Sequence, residues 1–278
     1  MIRIGEITYA NCVPIFAALR KMAQGSEYIF VRGEPSELNR MLYKGEIDLS
    51  PSSSFEYALH PGEYLLAPGL SISSEREVKS VLLFSRYPIE ALHEKTVLLS
   101  SASASSNALI QILLNKQFGH RCSYHLDDSG DSGLRHDGDA RLMIGNPALK
   151  AHLEGEGEEY VYDLSLLWKE FTGLPFVFAL WIIRRDAVRR MPGEIFRLVQ
   201  GLYKAKDYAA LHFSELAGDF ETIMEIPKDE LVRYWETISY DLDELKIKSL
   251  RLYYDYAEEL GLIPQSPPLE FYEKPGSF

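Results

Sequence analysis

Short apolar runs alternate with amphipathic stretches through the first sixty residues. Ile2–Ile7 has strand length, Thr8–Cys12 is a polar turn, and Pro14 suits the first turn of a helix carried by Phe16, Leu19 and Met22. Tyr28–Val31 predicts a second strand. Leu38, Met41 and Leu42 share one face of a helix over Pro35–Tyr43 that Gly45 stops. Ile47 and Leu49 lead a third strand into Pro51, which opens onto Ser53-Ser54-Phe55-Glu56, a serine-to-glutamate spacing that predicts a capping box. This strand–helix order predicts a parallel sheet with ligand-binding loops at the carboxyl ends of its strands.

Val78–Phe84 reads as a strand long enough to leave this first lobe, and the pattern restarts at Thr96: TVLLS as a strand, then SASASSNALIQILLNKQF as a helix. Asp127–Asp139, rich in Gly, Ser and Asp, reads as a loop. Ala140–Ile144 is a strand running into Gly145-Asn146-Pro147, with Asn as the expected cap and Pro at the first helical position. Leu174–Ile183 is apolar throughout and reads as a buried strand returning to the first lobe. From Asp186 the pattern is helical, clearest in Leu242, Leu245, Leu250, Tyr253, Ala257 and Leu260 with Gly261 as the stop. Pro264–Phe278 reads as a surface extension. The expected fold is α/β in two lobes, each a mainly parallel sheet flanked by helices: residues 1–85 with 186–278, and residues 86–185, with a helical C-terminal region.

Composition narrows the partners. The chain has 278 residues, 46% of them hydrophobic, enough for a substantial core. A formal net charge of -12 argues against nucleic acid or an anionic membrane surface, so an anionic ligand must be held by local donors. No apolar run is long enough to span a bilayer, and the opening strand is not a secretory leader, which makes a cytoplasmic protein the expectation. Cys12 and Cys122 match no metal-ligand spacing and read as reduced thiols. A homodimer is left open.

Four polar strand-end loops converge on one side of the sheets: Thr8–Cys12, Pro51–Ser54, Ser100–Ser106 and Gly145-Asn146. Three open helices with Ser or Asn, and such ends suit carboxylates or phosphates without any lysine or arginine. For each loop alone, simple helix capping accounts for the residues equally well. The seven histidines (His60, His93, His120, His125, His136, His152, His212) show no metal spacing, and GxSxG, P-loop and GxGxxG patterns are absent. Glu56 reads as a capping residue before it reads as a base, and Asp48 as a satisfied structural carboxylate.

Taken together, these blocks resemble the chorismate dehydratases of the futalosine route to menaquinone, a branch of the type II periplasmic-binding-protein fold. The resemblance rests on Tyr9-Ala10-Asn11-Cys12-Val13-Pro14, Leu38-Asn39 through Asp48, Pro51–Tyr57, Ser80-Val81, Ser103–Ser106, Ile144–Leu149, Trp168 and Thr172–Ala179, and covers about residues 2–185. Where the family often has Leu-Asn-Thr after the tyrosine, this chain has Ala10-Asn11-Cys12. Where it commonly has Asp, this chain has Asn146, which caps a helix about as well.

The resemblance implies elimination of water from chorismate, without metal or cofactor, giving 3-[(1-carboxyvinyl)oxy]benzoate. It implies substrate contacts at Tyr9, Ser53, Ser54, Ser80, Ser103, Ser105, Ser106, Gly145, Asn146 and Thr172. Because the strand-end loops contain no histidine or lysine, the expected base is the substrate's own enolpyruvyl carboxylate, held by the Asn11 amide. Other expectations are a sister enzyme making dihydroxynaphthoate, whose amino-terminal loop and histidine-bearing motif are not seen here, a solute-binding protein, and the effector domain of a regulator.

Overall fold

The computed structural model describes residues 1–22, 28–127, 138–155 and 160–273; most of the loop expected over Asp127–Asp139 and the end of the C-terminal tail lie outside the described residues. The chain begins β1 (Ile2–Ile7), α1 (Val13–Met22), β2 (Tyr28–Gly33), α2 (Pro35–Lys44), β3 (Leu49–Ser53), α3 (Ser54–Leu59) and β4 (Tyr64–Ser74). It continues through β5 (Val81–Ser85), β6 (Thr96–Leu99), α4 (Ala104–Ile112), β7 (Ser123–Leu126), β8 (Ala140–Ile144), α5 (Gly145–Glu154), β9 (Tyr160–Asp163) and α6 (Leu164–Thr172). Then come β10 (Phe176–Arg184), α7 (Arg185–Arg190), α8 (Pro192–Leu211), α9 (Phe213–Met224), α10 (Lys228–Thr237), β11 (Ile238–Ser239) and α11 (Glu244–Glu259).

The strands form two sheets, β11-β4-β10-β3-β1-β2 and β7-β6-β8-β5-β9. Both are mixed rather than mainly parallel. β1 runs parallel to β2 and β3, but β10 is antiparallel to β3 and β4; in the second sheet β6 is parallel to β7 and β8, while β5 is antiparallel to β8 and β9. β5 and β10 are the strands through which the chain passes from one sheet to the other, and each runs antiparallel to its neighbours. The crossings lie at 75–80 and 173–175, which differs from the expected limits at 85 and 186: β5 bonds within the second sheet and β10 within the first.

β10 is buried on both faces up to Ile183, which is why it reads as a continuous apolar run. Its ladder with β4 is irregular at two places. Pro68 and Gly69 (φ 67°) fall in one; in the other, Phe178 lies between the paired Val177 and Ala179 as an extra residue. Asp48 is satisfied as expected, by the Arg3 N–H at 2.8 Å and by the Arg3 and Arg190 guanidiniums at 3.0 and 2.8 Å. Burial alone would raise its pKa, but the bonds from Arg3 and Arg190 outweigh that and hold it low.

Three further expectations change. The predicted capping box forms only in half: the Ser53 hydroxyl accepts from Phe55 N at 3.2 Å, while Glu56 turns away to accept the Tyr64 hydroxyl at 2.8 Å. Leu245 is exposed, and the buried face of α11 runs through Lys246, Ser249, Leu250, Tyr253, Tyr254 and Ala257. The tail is pinned instead of extended. Glu270 O accepts from Leu66 N, Tyr272 N donates to Leu66 O, and Tyr57 bonds Pro268 and Glu270, so these backbone groups complete the edge of β4.

Candidate active site

A cleft open to solvent lies between the sheets. Its wall comes from the strand ends and crossings that the topology brings together: Tyr9, Asn11 and Cys12 after β1, Ser53 at the end of β3, Val78 and Ser80 in the first crossing, Ser103 and Ser106 at the start of α4, Ile144 and Gly145 where β8 meets α5, and Phe178 from the β10 irregularity. Among the described residues that line it, none is a lysine, arginine, aspartate, glutamate or histidine. The donors are hydroxyls and amides set in apolar wall, the composition of a small-molecule site.

The turn carrying Asn11 is tight, with Cys12 N donating to Tyr9 O at 3.0 Å. Its carbonyls are held by side chains from the C-terminal region: the Trp235 indole donates to Ala10 O and the Tyr240 hydroxyl to Asn11 O, both at 2.8 Å. Asn11 Oδ1 is buried and has no hydrogen-bond partner among the described residues, an uncommon condition for a polar atom inside a protein. The Cys12 thiol is pushed well up by burial and then by the nearby Glu6 charge, so it remains neutral wall. Tyr9 lines the cavity with its ring and donates its hydroxyl to Glu34 at 2.7 Å.

Ser80 is buried and shares a 2.8 Å hydrogen bond with the Tyr234 hydroxyl, whose pKa burial raises, so a neutral phenol backs the serine. At the start of α4, the Ser103 hydroxyl accepts from Ser106 N at 3.2 Å and donates to Ser106 Oγ at 2.8 Å. α3, of six residues, is too short to add much dipole, whereas α4 and α5, of nine and ten, begin at the cavity wall.

The structure therefore brings Tyr9, Asn11, Ser53, Ser80, Ser103, Ser106 and Gly145 to one cavity. Four expected contacts sit elsewhere. Ser54 donates to Val177 O and Ser105 to Phe178 O, each at 2.9 Å, in the seam between the lobes. Thr172 closes the end of α6 by donating to Trp168 O and accepting from Leu174 N. Asn146 is not a cap, because α5 begins one residue earlier, and its Oδ1 accepts from Ala10 N at 2.8 Å. Glu56 is also outside the wall, and burial lifts its pKa to about 7 against the opposing Tyr64 hydrogen bond. Among the described residues, no group of three or more His, Cys, Asp or Glu side chains is arranged to hold a metal, and no helix is long and apolar enough to cross a membrane.

Sequence reasoning missed the supporting ring: Tyr234, Trp235 and Tyr240, with Tyr253 and Tyr254, whose hydroxyls donate to Ser105 O at 3.0 Å and Ser54 O at 2.6 Å. The available signal was the density of tyrosine and tryptophan on otherwise ordinary helical stripes, since buried Tyr and Trp need partners for their polar tips.

Residues 2–259 match the menaquinone biosynthesis family. A chorismate dehydratase from Thermus thermophilus is 33% identical over 273 residues, covering 93% of this chain and 95% of the relative. Among solved structures, the alkanesulfonate-binding protein SsuA from Xanthomonas axonopodis superposes with a TM-score of 0.71 at 13% identity, covering 96% of each chain. A Candida albicans protein described as having the generic periplasmic-binding-protein fold gives 0.71 at 11% identity, covering 100% of this chain and 99% of that one. The two structures establish the two-lobed periplasmic-binding-protein fold alone; the sequence matches, which span nearly the whole chain, establish more, and the chain belongs to the menaquinone biosynthesis family.

Proposed function

We propose that this protein is a cytoplasmic hydro-lyase that removes water from chorismate to give 3-[(1-carboxyvinyl)oxy]benzoate, opening the futalosine route to menaquinone. The observation that carries the reading is Asn11: a polar side chain with a buried, unpartnered oxygen, on a turn held from several sides, in a cavity whose described wall is uncharged. The free oxygen is an acceptor that can take a substrate hydroxyl, and the Nδ2 N–H of the same amide is the donor that meets a carboxylate.

In the reaction, the C–H bond at the ring carbon bearing the enolpyruvyl ether breaks, and its electron pair passes through the ring alkene onto the ring carboxylate. The pair then returns to expel the neighbouring hydroxyl, the ring becomes aromatic, and the proton and hydroxide leave as water. Negative charge grows on the carboxylate oxygens during the first step, where Ser80, Ser106 and the start of α4 offer neutral donors. With no histidine, lysine or carboxylate in the described wall, the substrate's enolpyruvyl carboxylate takes the proton and Asn11 orients it.

Incubating the purified protein with chorismate and weighing the product tests the reading. A product one water lighter is expected. Tight binding without turnover would make the protein a carboxylate-binding one. No response to chorismate, with turnover of a later pathway intermediate, would make it the dihydroxynaphthoate-forming sister.

A further inference from the structure

Ala10 has no side chain that could engage a substrate, yet its peptide groups are held on both sides. Its carbonyl accepts from Trp235 and its N–H donates to Asn146 Oδ1, each at 2.8 Å, and Ala10 is 1% exposed. Trp235, on α10, leads into β11 of the first sheet; Asn146 lies in the first turn of α5, which follows β8 of the second. The turn bearing Asn11 is thus bonded to both lobes, and the second lobe's bond exists only when α5 stands at this distance. Gly145 sets the approach: a Cβ there would lie 2.8 Å from the Tyr9 ring, so a glycine lets the start of α5 seat against the turn. The donor at Ala10 also fixes which way the Asn146 amide faces, leaving Nδ2 toward Met224 Sδ at 3.4 Å.

We infer that Asn146 is a positioning residue that couples the stance of the second lobe to Asn11: its bond to Ala10 N sets the turn and with it the amide that holds the reacting carboxylate. This rests on the reading of Asn11 given above.

The test compares Asn146→Asp, which keeps an acceptor for the Ala10 N–H, with Asn146→Leu, which keeps the volume and removes the acceptor. Asn146→Asp should hold kcat within about threefold of the parent, while Asn146→Leu lowers kcat about tenfold or more with a smaller change in KM. In an Asn11→Ala background, Asn146→Leu should cost no more than about twofold further, because the two act as one unit. Exchange of the Ala10 amide proton gives a readout free of the reaction: protected in the parent and in Asn146→Asp, and about tenfold faster in Asn146→Leu. Parental kcat in Asn146→Leu, additive losses in the double variant, or unchanged Ala10 exchange would each overturn the inference. A parent that leaves chorismate untouched while the exchange difference persists would instead sink the dehydratase reading and leave the latch supported.

Discussion

Ser53 and Ser105 meet hydroxyl to hydroxyl at 2.6 Å, one closing β3 of the first sheet and the other in the first turn of α4. The direction of that bond follows from counting protons. Ser105 spends its single proton on Phe178 O, so Ser53 is the donor, and the 3.1 Å contact between Ser54 and Ser105 carries no proton because Ser54 spends its own on Val177 O. Ser53 therefore shows the cavity only lone pairs. Ser106, which accepts from Ser103, keeps a proton to give.

The serines consequently separate by experiment. Ser106→Ala should weaken binding of chorismate by about 1.5–3 kcal/mol, the worth of a hydrogen bond to a charged group. Ser53→Ala should change affinity much less, and Ser105→Ala should lower the melting temperature more than the affinity. Calorimetric titration and thermal melting of the three variants check this, and equal affinity losses at Ser53 and Ser106 would refute the proton count.

Asn11→Ala should reduce turnover by about a hundredfold or more, the scale seen when a preorganised donor is lost. Its effect on stability should be negligible or favourable, since Oδ1 has no partner among the described residues and its removal strands none of them. Steady-state kinetics beside thermal melting read the two together; near-parental turnover would refute the assignment.

Glu56 predicts a pH effect unrelated to catalysis. Its pKa is raised by burial from 4.5 to about 7, with the Tyr64 hydrogen bond opposing. A raised folded-state pKa stabilises below the unfolded value, and that contribution is lost as pH climbs from about 4.5 through about 7, amounting to on the order of 2–3 kcal/mol. Glu56→Gln keeps an acceptor for Tyr64 and removes the charge. It should be the more stable protein at pH 8, with a flatter profile between pH 5 and 7 in denaturant titrations. A large loss of turnover in this variant would contradict the placement of Glu56 outside the cavity.

Much of the frame was legible because its signals are local. β1 and β10 are mostly apolar runs, Ile47, Leu49 and Pro51 mark β3, and the restart at Thr96 marks the second lobe. β4 was not, since Pro68-Gly69 interrupts it and its serines look like loop. Ser71, Ser73 and Ser74 are buried only because Asp241 O, Ser239 O and Glu77 O accept their hydroxyl protons. The site was legible as four loops but not residue by residue. Which of Ser105 and Ser106 faces the cavity depends on helix phase to a single position. Asn146 bonds Ala10, 136 residues away, a distance over which spacing carries no signal.

A fourth prediction concerns salt. A dianionic ligand approaches a chain of net charge -12 and enters a cavity whose described wall has no cation to attract it. Screening should therefore raise the association rate, by about two- to fivefold between low and physiological ionic strength, with little change in dissociation. Stopped-flow measurement across a salt series checks it; a rate that falls with salt would reveal a guiding cation.

The place of β10 also bears on how the molecule is made. The strands of the second sheet all lie between Val81 and Asp163, so that sheet is complete in sequence before Phe176 leaves the ribosome. The first sheet has no such continuity: β3 and β4 bond to each other only through β10, so during synthesis they stand with open edges while the second lobe is being made. Contacts of this separation are slow to form, so the insertion of β10 between β3 and β4 is expected late in folding.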